Sequence, residues 1–187
     1  MEPLTFRESL DIALRQPEYW HALLHPVVVY GLGFGWLAMV MATLVRHRRG
    51  EVVALTLVAI GALAAWPVAE FGHRGYEQIS VIADDDGRAW LEIHRDRAET
   101  VLPLFYVVVA AAAAALFVPL RWPRSRRPLF WLTFFLALGA IVAGGWISRA
   151  GGKVRHKEFR YAPPPKPAFS QESHSTRRPS PMIFVIT

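Results

Sequence analysis

Residues 101–120 form a run of twenty consecutive positions without a charged side chain. A helix of this length rises about 30 Å, which is the thickness of the hydrocarbon core of a bilayer. Because one charge at mid-bilayer costs roughly 2.5–3.5 kcal/mol on insertion scales, the run indicates a membrane span. Its alanine block, residues 110–115, predicts a thin helix face that neighbouring helices can approach closely.

Three further charge-free runs cover residues 27–45, 52–69 and 129–148. Each is about 18–20 residues long, as a span requires. The helices of a soluble bundle would carry polar residues every third or fourth position, and these runs do not. The sequence therefore predicts an all-α fold, an integral membrane four-helix bundle with spans at about 27–45, 52–69, 101–120 and 129–148.

Three regions follow from this pattern. Residues 1–24 mix apolar and charged side chains and predict an interfacial amphipathic helix ended by Pro17. The bundle occupies 25–160, and the proline-rich residues 161–187 predict an extended tail. Residues 74–93 form the only sizeable loop, in which a helix capped near Asp84 is favoured over a β-hairpin turn.

Composition narrows the function classes. The chain has no cysteine, which excludes disulfides, thiolate metal sites and iron–sulfur clusters. Its formal charge of +6 lies in turns and in the tail rather than on one folded face, so no nucleic-acid partner is predicted. Membrane lipid is the predicted surrounding. No nucleophile–base pair and no phosphate-binding glycine loop is present, which favours an electron carrier or accessory subunit over an enzyme.

The charges predict the orientation. The turns at 46–51 and 121–127 together hold seven arginines and one acidic residue, whereas residues 70–99 hold four basic and eight acidic residues. Because positive residues stay cytoplasmic in short loops, both termini and residues 70–99 are expected on the periplasmic face of a bacterial inner membrane. The tail has the opposite bias, but segments after the last span weigh less than short loops.

This orientation gathers most of the histidines at one end of the bundle. They are His21, His25, His73, His94 and His156. Imidazoles on facing helices can ligate a b-type haem. His25 and His94 are the predicted ligands, with His73 and His156 as substitutes; the other interpretation is that these histidines are interfacial or hydrogen-bonded side chains that hold no ligand. The glycines at 31, 33 and 35 and the aromatic residues Tyr30, Phe34, Trp36 and Phe105 are candidates for an apolar slot, but helix packing by the glycines and core or lipid contact by the aromatic residues are the favoured alternatives.

Two alternatives stay open. Three of the histidines together with Glu70 or Glu99 would suit zinc or copper, with His25 and His94 as the metal ligands. The chain would equally serve as a cofactor-free accessory subunit of a membrane assembly, held to other subunits by residues 162–187. The apolar, β-prone end of that tail, residues 182–186, could add as a strand to a neighbour.

The layout resembles a family of four-helix bacterial membrane proteins known only as a domain of unknown function, number twenty-two thirty-one. The resemblance rests on His25-Pro26 at the first span, His94 at the third, and Gly151-Gly152 followed by His156 after the fourth. Where that family has a second histidine five residues after the first, this chain has Tyr30. The resemblance implies an inner-membrane protein of a family that is often suspected of a redox role and has no established activity.

Overall fold

The computed structural model describes residues 5–164, and every regular element in that range is helical. The six α-helices are α1 (Phe6–Leu14), α2 (Pro17–Val45), α3 (Arg48–Leu63), α4 (Ala65–Ile82), α5 (Asp85–Arg121) and α6 (Arg126–Arg155). Short 3₁₀ turns follow α5 and α6 at Pro123–Ser125 and Lys157–Phe159. His174, the predicted strand at 182–186 and most of the predicted tail lie outside the described residues.

Four helical segments are long and apolar enough to cross a membrane: Pro17–Val45, Arg48–Ile82, Asp85–Arg121 and Pro123–Arg155. This confirms the predicted all-helical fold with four candidate spans. Large apolar side chains cover the outside of the segments, as a lipid surrounding requires. Examples are Phe34, Leu44, Phe117, Leu120 and Phe135, each more than 60% exposed.

The helix boundaries differ from the predicted ones at both ends of the first span. Pro17 does not end an interfacial helix; it occupies the first turn of α2, where its missing N–H is tolerated. The predicted start of the span at Pro26 lies more than two turns inside α2. Residues 17–24 are therefore part of the bundle. The helix Phe6–Leu14 is present, and its placement on a membrane surface stays a prediction.

The predicted loop at 74–93 is almost entirely helical. Helix α4 runs to Ile82 and α5 begins at Asp85, so only residues 83 and 84 connect them. The Asp84 carboxylate caps α5 by accepting a hydrogen bond from the backbone N–H of Gly87 at 3.0 Å. The favoured helical interpretation is therefore correct, and the hairpin alternative is wrong because residues 5–164 contain no strand.

The helix pair α2 and α3 packs backbone against backbone through glycine. A Cβ added to Gly35 would lie 2.8 Å from the backbone nitrogen of Val58, and one added to Gly61 would lie 2.6 Å from that of Leu32. Gly31 also touches Gly61, but Gly33 has nothing within 4 Å of an added Cβ. Gly31 and Gly35 thus form a small-xxx-small contact face. Gly33 points away from it, so the three glycines do not line one slot.

The bundle consists of two antiparallel halves. In the first, α2 packs along α3 and α4; in the second, α5 packs along α6. Pro67 lacks the N–H that would bond to Leu63, which accounts for the short break between α3 and α4. The halves meet where α5 contacts α3 and α6 contacts α2. The side chains of Val58, Val108, Ala112 and Ala137 are completely buried at this centre.

Asp84 and Arg160 tie the start of α5 to the end of α6. One carboxylate oxygen of Asp84 caps α5, and the other accepts from Arg160 Nη1 at 2.9 Å and pairs with Lys157 Nζ at 3.0 Å. Arg160 also donates to the carbonyl oxygens of Lys153 and Val154 at 2.7 and 2.8 Å. The hydrogen bond from Arg160, and then that from Lys157, hold the pKa of Asp84 well below its usual range.

Asp84→Asn should lower the melting temperature of the solubilised protein by several degrees at pH 7, because asparagine keeps the helix cap but removes the charge facing Arg160. A carboxyl group whose pKa is depressed by folding stabilises the protein above its unfolded pKa and loses that effect as the pH falls below about 4. The gap between wild type and variant should therefore narrow from pH 6 to pH 3. Asp85→Asn, at a side chain that is 95% exposed, is the control; an equal gap at all pH values would contradict the charge pairing.

Candidate functional site

A cavity of about 580 Å³ opens at the end of the bundle where the α4–α5 connection lies. Four helices contribute to its wall: the start of α2, the end of α4, the start of α5 and the end of α6. Its wall includes His21, His25, His73 and His94 together with apolar side chains such as Leu91 and Leu102. A volume of this size is ordinary for a small-molecule or cofactor site.

His21 is held by the neighbouring helix α4. Its Nδ1 lies 2.8 Å from the carbonyl oxygen of Val68, 47 residues along the chain. Gly72, one turn after Val68, makes room for the ring, since a Cβ there would lie 2.9 Å from the same Nδ1. The imidazole therefore sits against bare helix backbone, bonded to a carbonyl and faced by a glycine four residues later.

His94 repeats this arrangement in the other half of the bundle. Its Nδ1 lies 3.1 Å from the carbonyl oxygen of Ile147 in α6. Gly151 again follows four residues after the bonded carbonyl, and a Cβ on it would lie 3.0 Å from Nδ1 and from Cε1 of the ring. The two halves thus each seat one histidine by the same combination of carbonyl and glycine.

The carbonyl bonds determine which ring nitrogen carries the proton. A carbonyl oxygen only accepts, so Nδ1 of both His21 and His94 donates its hydrogen. In the neutral rings Nε2 is then left with a free lone pair. Histidines that bind metals and haem iron are commonly oriented in this way, with the other ring nitrogen donating to a carbonyl or a carboxylate.

The structure brings three of the rings close together. The ring centroids of His21 and His94 are 6.3 Å apart with their planes at 87°, and those of His21 and His25 are 6.0 Å apart. His25 lies one turn after His21 on α2 and also lines the cavity. The predicted ligands His25 and His94 therefore share one site. His21, which is not among the predicted ligands, has its ring close to the rings of both.

The two substitute ligands lie in different surroundings. His73 lines the cavity, is about half exposed, and has its Nε2 3.7 Å from an Oε1 of Glu99. His156 is not among the residues that line the cavity. Its Nδ1 donates to Glu158 at 2.9 Å and its ring stacks on Phe159 at a centroid distance of 4.9 Å. It follows the end of α6 and faces the C-terminal turn instead.

The four candidate aromatic residues do not line the cavity, and the favoured alternative, core or lipid contact, is the arrangement found. Tyr30 and Phe34 stack on each other on the outer surface, where they are 61% and 63% exposed. Trp36 packs against Phe134, and Phe105 is in the core. The aromatic rings of the cavity wall are those of Tyr19, Phe71 and Tyr76. A histidine at position 30 would consequently point away from this site.

The zinc or copper arrangement is not present in the described part of the chain, where no three histidine or acidic side chains are placed to hold one metal ion. Glu70 is paired with Arg74, its Oε1 accepting from Nε at 2.8 Å. Glu99 lies between His73 and Arg95, whose Nε is 3.6 Å from it. Both carboxylates are thus engaged by neighbouring cations rather than grouped with the three rings.

Two arginines add positive charge at this end. Arg95 lines the cavity with its guanidinium 4.7 Å above the ring of Tyr76. Arg97 donates to the carbonyl oxygen of Trp146 at 2.8 Å and lies over its indole. The next carbonyl oxygen along α6, that of Ile147, accepts from His94. Two adjacent carbonyl groups of α6 therefore bind two side chains of α5, Arg97 and His94.

Comparisons with protein-family models, with curated proteins and with solved structures found no match for this chain. The resemblance to the four-helix family of unknown function is therefore a prediction that these comparisons leave open.

Proposed function

We propose that this chain is a membrane redox module that binds a b-type haem in the histidine-lined cavity and passes electrons. The observation that carries the proposal is the matched seating of His21 and His94, each with Nδ1 donating to a helix carbonyl. The pair lies on facing helices of a four-helix bundle, which is the usual setting for bis-histidine haem ligation. The family resemblance points to the same class of function.

His21 on α2 and His94 on α5 are the residues that would hold the haem iron, and their ring centroids are 6.3 Å apart. His25, one turn further along α2, is the second candidate on that helix and was the ligand predicted from sequence.

Haem would supply a reversible one-electron couple at the iron. The chain's own contribution is to fix two imidazoles by their bonds to helix carbonyls and to surround them with a largely apolar wall. The described residues contain no nucleophile paired with a base at this cavity, so the proposed role is electron transfer rather than the conversion of a substrate.

The absorbance spectrum of the protein, purified in detergent from cells supplied with haem precursor, tests this function. A Soret band with α and β bands that sharpen on reduction is expected, with one haem per chain by pyridine haemochrome assay. Protein that stays colourless after reconstitution with haemin would overturn the proposal. That result would leave the cofactor-free accessory subunit, whose predicted contacts at 162–187 lie largely outside the described residues.

We further propose that the histidine end faces the periplasm of a bacterial inner membrane. The charge difference supports it: seven arginines and one acidic residue lie in the turns at the opposite end, at 46–51 and 121–127. Alkaline phosphatase inserted after Ala83 should be active, and the same enzyme inserted after Arg124 should be inactive. The reverse pattern would invert the proposed topology without affecting the haem site.

A further inference from the structure

The end of the bundle opposite the cavity histidines carries a concentration of positive charge. Seven arginines lie in its two turns: Arg46, Arg48, Arg49, Arg121, Arg124, Arg126 and Arg127. The only acidic residue in those turns is Glu51, and it pairs with Arg126 at 2.6 Å. Among residues 5–164 no other carboxylate pairs with these arginines, so the end attracts an anion.

An open apolar groove of about 530 Å³ lies beside this charge, between the end of α2 and the start of α3. Ala38, Met41, Val45 and Val53 line it, and Met41, Val45 and Val53 are each more than 40% exposed. Two small residues of the lining, Gly50 and Ala42, are in contact, since a Cβ added to Gly50 would lie 3.4 Å from the Ala42 Cβ. No bulky side chain therefore fills the groove at this point. Its shape suits a flexible hydrocarbon chain.

The polar end of the groove is formed by His47 and Arg49. Nδ1 of His47 accepts from the backbone N–H of Gly50 at 3.3 Å, so in the neutral ring the proton is on Nε2, which is a donor. One imidazole N–H and one guanidinium therefore border the groove just beyond Val45, the last residue of the first charge-free run. Two donors at this depth match a phosphate at the level of the lipid headgroups.

We propose that this groove binds one anionic phospholipid, with an acyl chain against Met41, Val45 and Val53 and its phosphate on Arg49 and His47. The guanidinium of Arg49 at the polar end of the groove selects an anionic over a zwitterionic lipid. The apolar wall requires the chain as well as the headgroup. The site is independent of the haem proposal, because it lies at the other end of the bundle and involves none of the cavity histidines.

The test is thermal unfolding of the detergent-solubilised protein with added phosphatidylglycerol, phosphatidylcholine or glycerol phosphate. Phosphatidylglycerol alone should raise the melting temperature in a saturable way. Arg49→Gln should weaken its apparent affinity about fivefold. Arg127→Gln, at an exposed arginine of the same end that does not line the groove, should change the affinity less than about twofold because salt screens an exposed charge that does not touch the lipid.

Three outcomes would overturn the lipid site. Equal losses in the Arg49 and Arg127 variants would mean attraction by the whole charged end rather than by the groove. Equal stabilisation by phosphatidylcholine would mean that the charge selects nothing, and stabilisation by glycerol phosphate alone would mean that the apolar groove takes no part.

Discussion

Gly35→Ala is expected to lower the free energy of unfolding by about 1–3 kcal/mol, the range typical of overpacking a tight contact. The added methyl group would lie 2.8 Å from the backbone nitrogen of Val58 and 2.9 Å from its Cγ2. Because a backbone atom cannot rotate away, α2 and α3 must separate. Unfolding of the solubilised protein by heat or by increasing dodecyl sulfate, followed by circular dichroism, measures the loss.

Gly33→Ala is the matched control for this variant. Gly33 lies two residues away on the same helix, and nothing is within 4 Å of its added Cβ. Alanine there changes only helix propensity, which favours it by up to about 1 kcal/mol. The difference between the two variants isolates the cost of the α2–α3 contact. If both variants unfold alike, the close approach of the two helices is wrong.

His94→Ala should abolish haem binding, or lower the affinity at least about tenfold, since even groups that only orient a metal ligand contribute that much. His21→Ala should have the same effect if His21 is the second ligand. His25→Ala decides between the two histidines of α2: a retained low-spin spectrum assigns the ligand to His21, and a lost one assigns it to His25, as the sequence predicted. Haem titration followed at the Soret band measures each affinity.

His156→Ala is the control. His156 follows α6 at the end of the bundle where the cavity opens, but it does not line the cavity and pairs with Glu158 instead. It should bind haem as the wild type does.

Gly151→Ala gives a subtler readout: its methyl group would press on the His94 ring, 3.0 Å from Nδ1. We expect haem to stay bound with a shifted reduction potential. Unchanged spectra in the His94 and His21 variants would contradict ligation by either residue.

Much of the fold could be predicted because the bilayer imposes one length on every span. The four charge-free runs correctly indicated four helical segments, since a charge inside such a run is costly regardless of the neighbours. The helix ends could not be predicted in this way. Beyond the apolar runs the helices continue, in α5 for more than four turns from Asp85 to Thr100, and there local caps and packing decide where a helix ends. Asp84 caps the start of α5. Pro17 lies in the first turn of α2, although it was expected to end the helix before it.

The candidate site divides along the same line. Antiparallel threading of four spans was enough to expect His25 and His94 at one end, and both line the cavity. The role of His21 depends on a carbonyl 47 residues away and on the glycine one helical turn beyond that carbonyl. Neither carries a recognisable local signal. The aromatic residues considered for the slot lie elsewhere, Tyr30 and Phe34 on the outer surface and Phe105 in the core, because aromatic side chains face lipid or pack in a core as readily as they line a cavity.

The sequence by itself determined that this chain has four apolar helices, with arginines concentrated beside one set of ends and histidines beside the other. These properties depend only on residue type and on spacing along the sequence. Only the tertiary structure decided which glycines contact a neighbouring helix and which imidazoles have Nδ1 bonded to a carbonyl. It also decided that His156 does not line the cavity. The physical reason is that backbone atoms of a neighbouring helix, brought near only by packing, complete each of these arrangements.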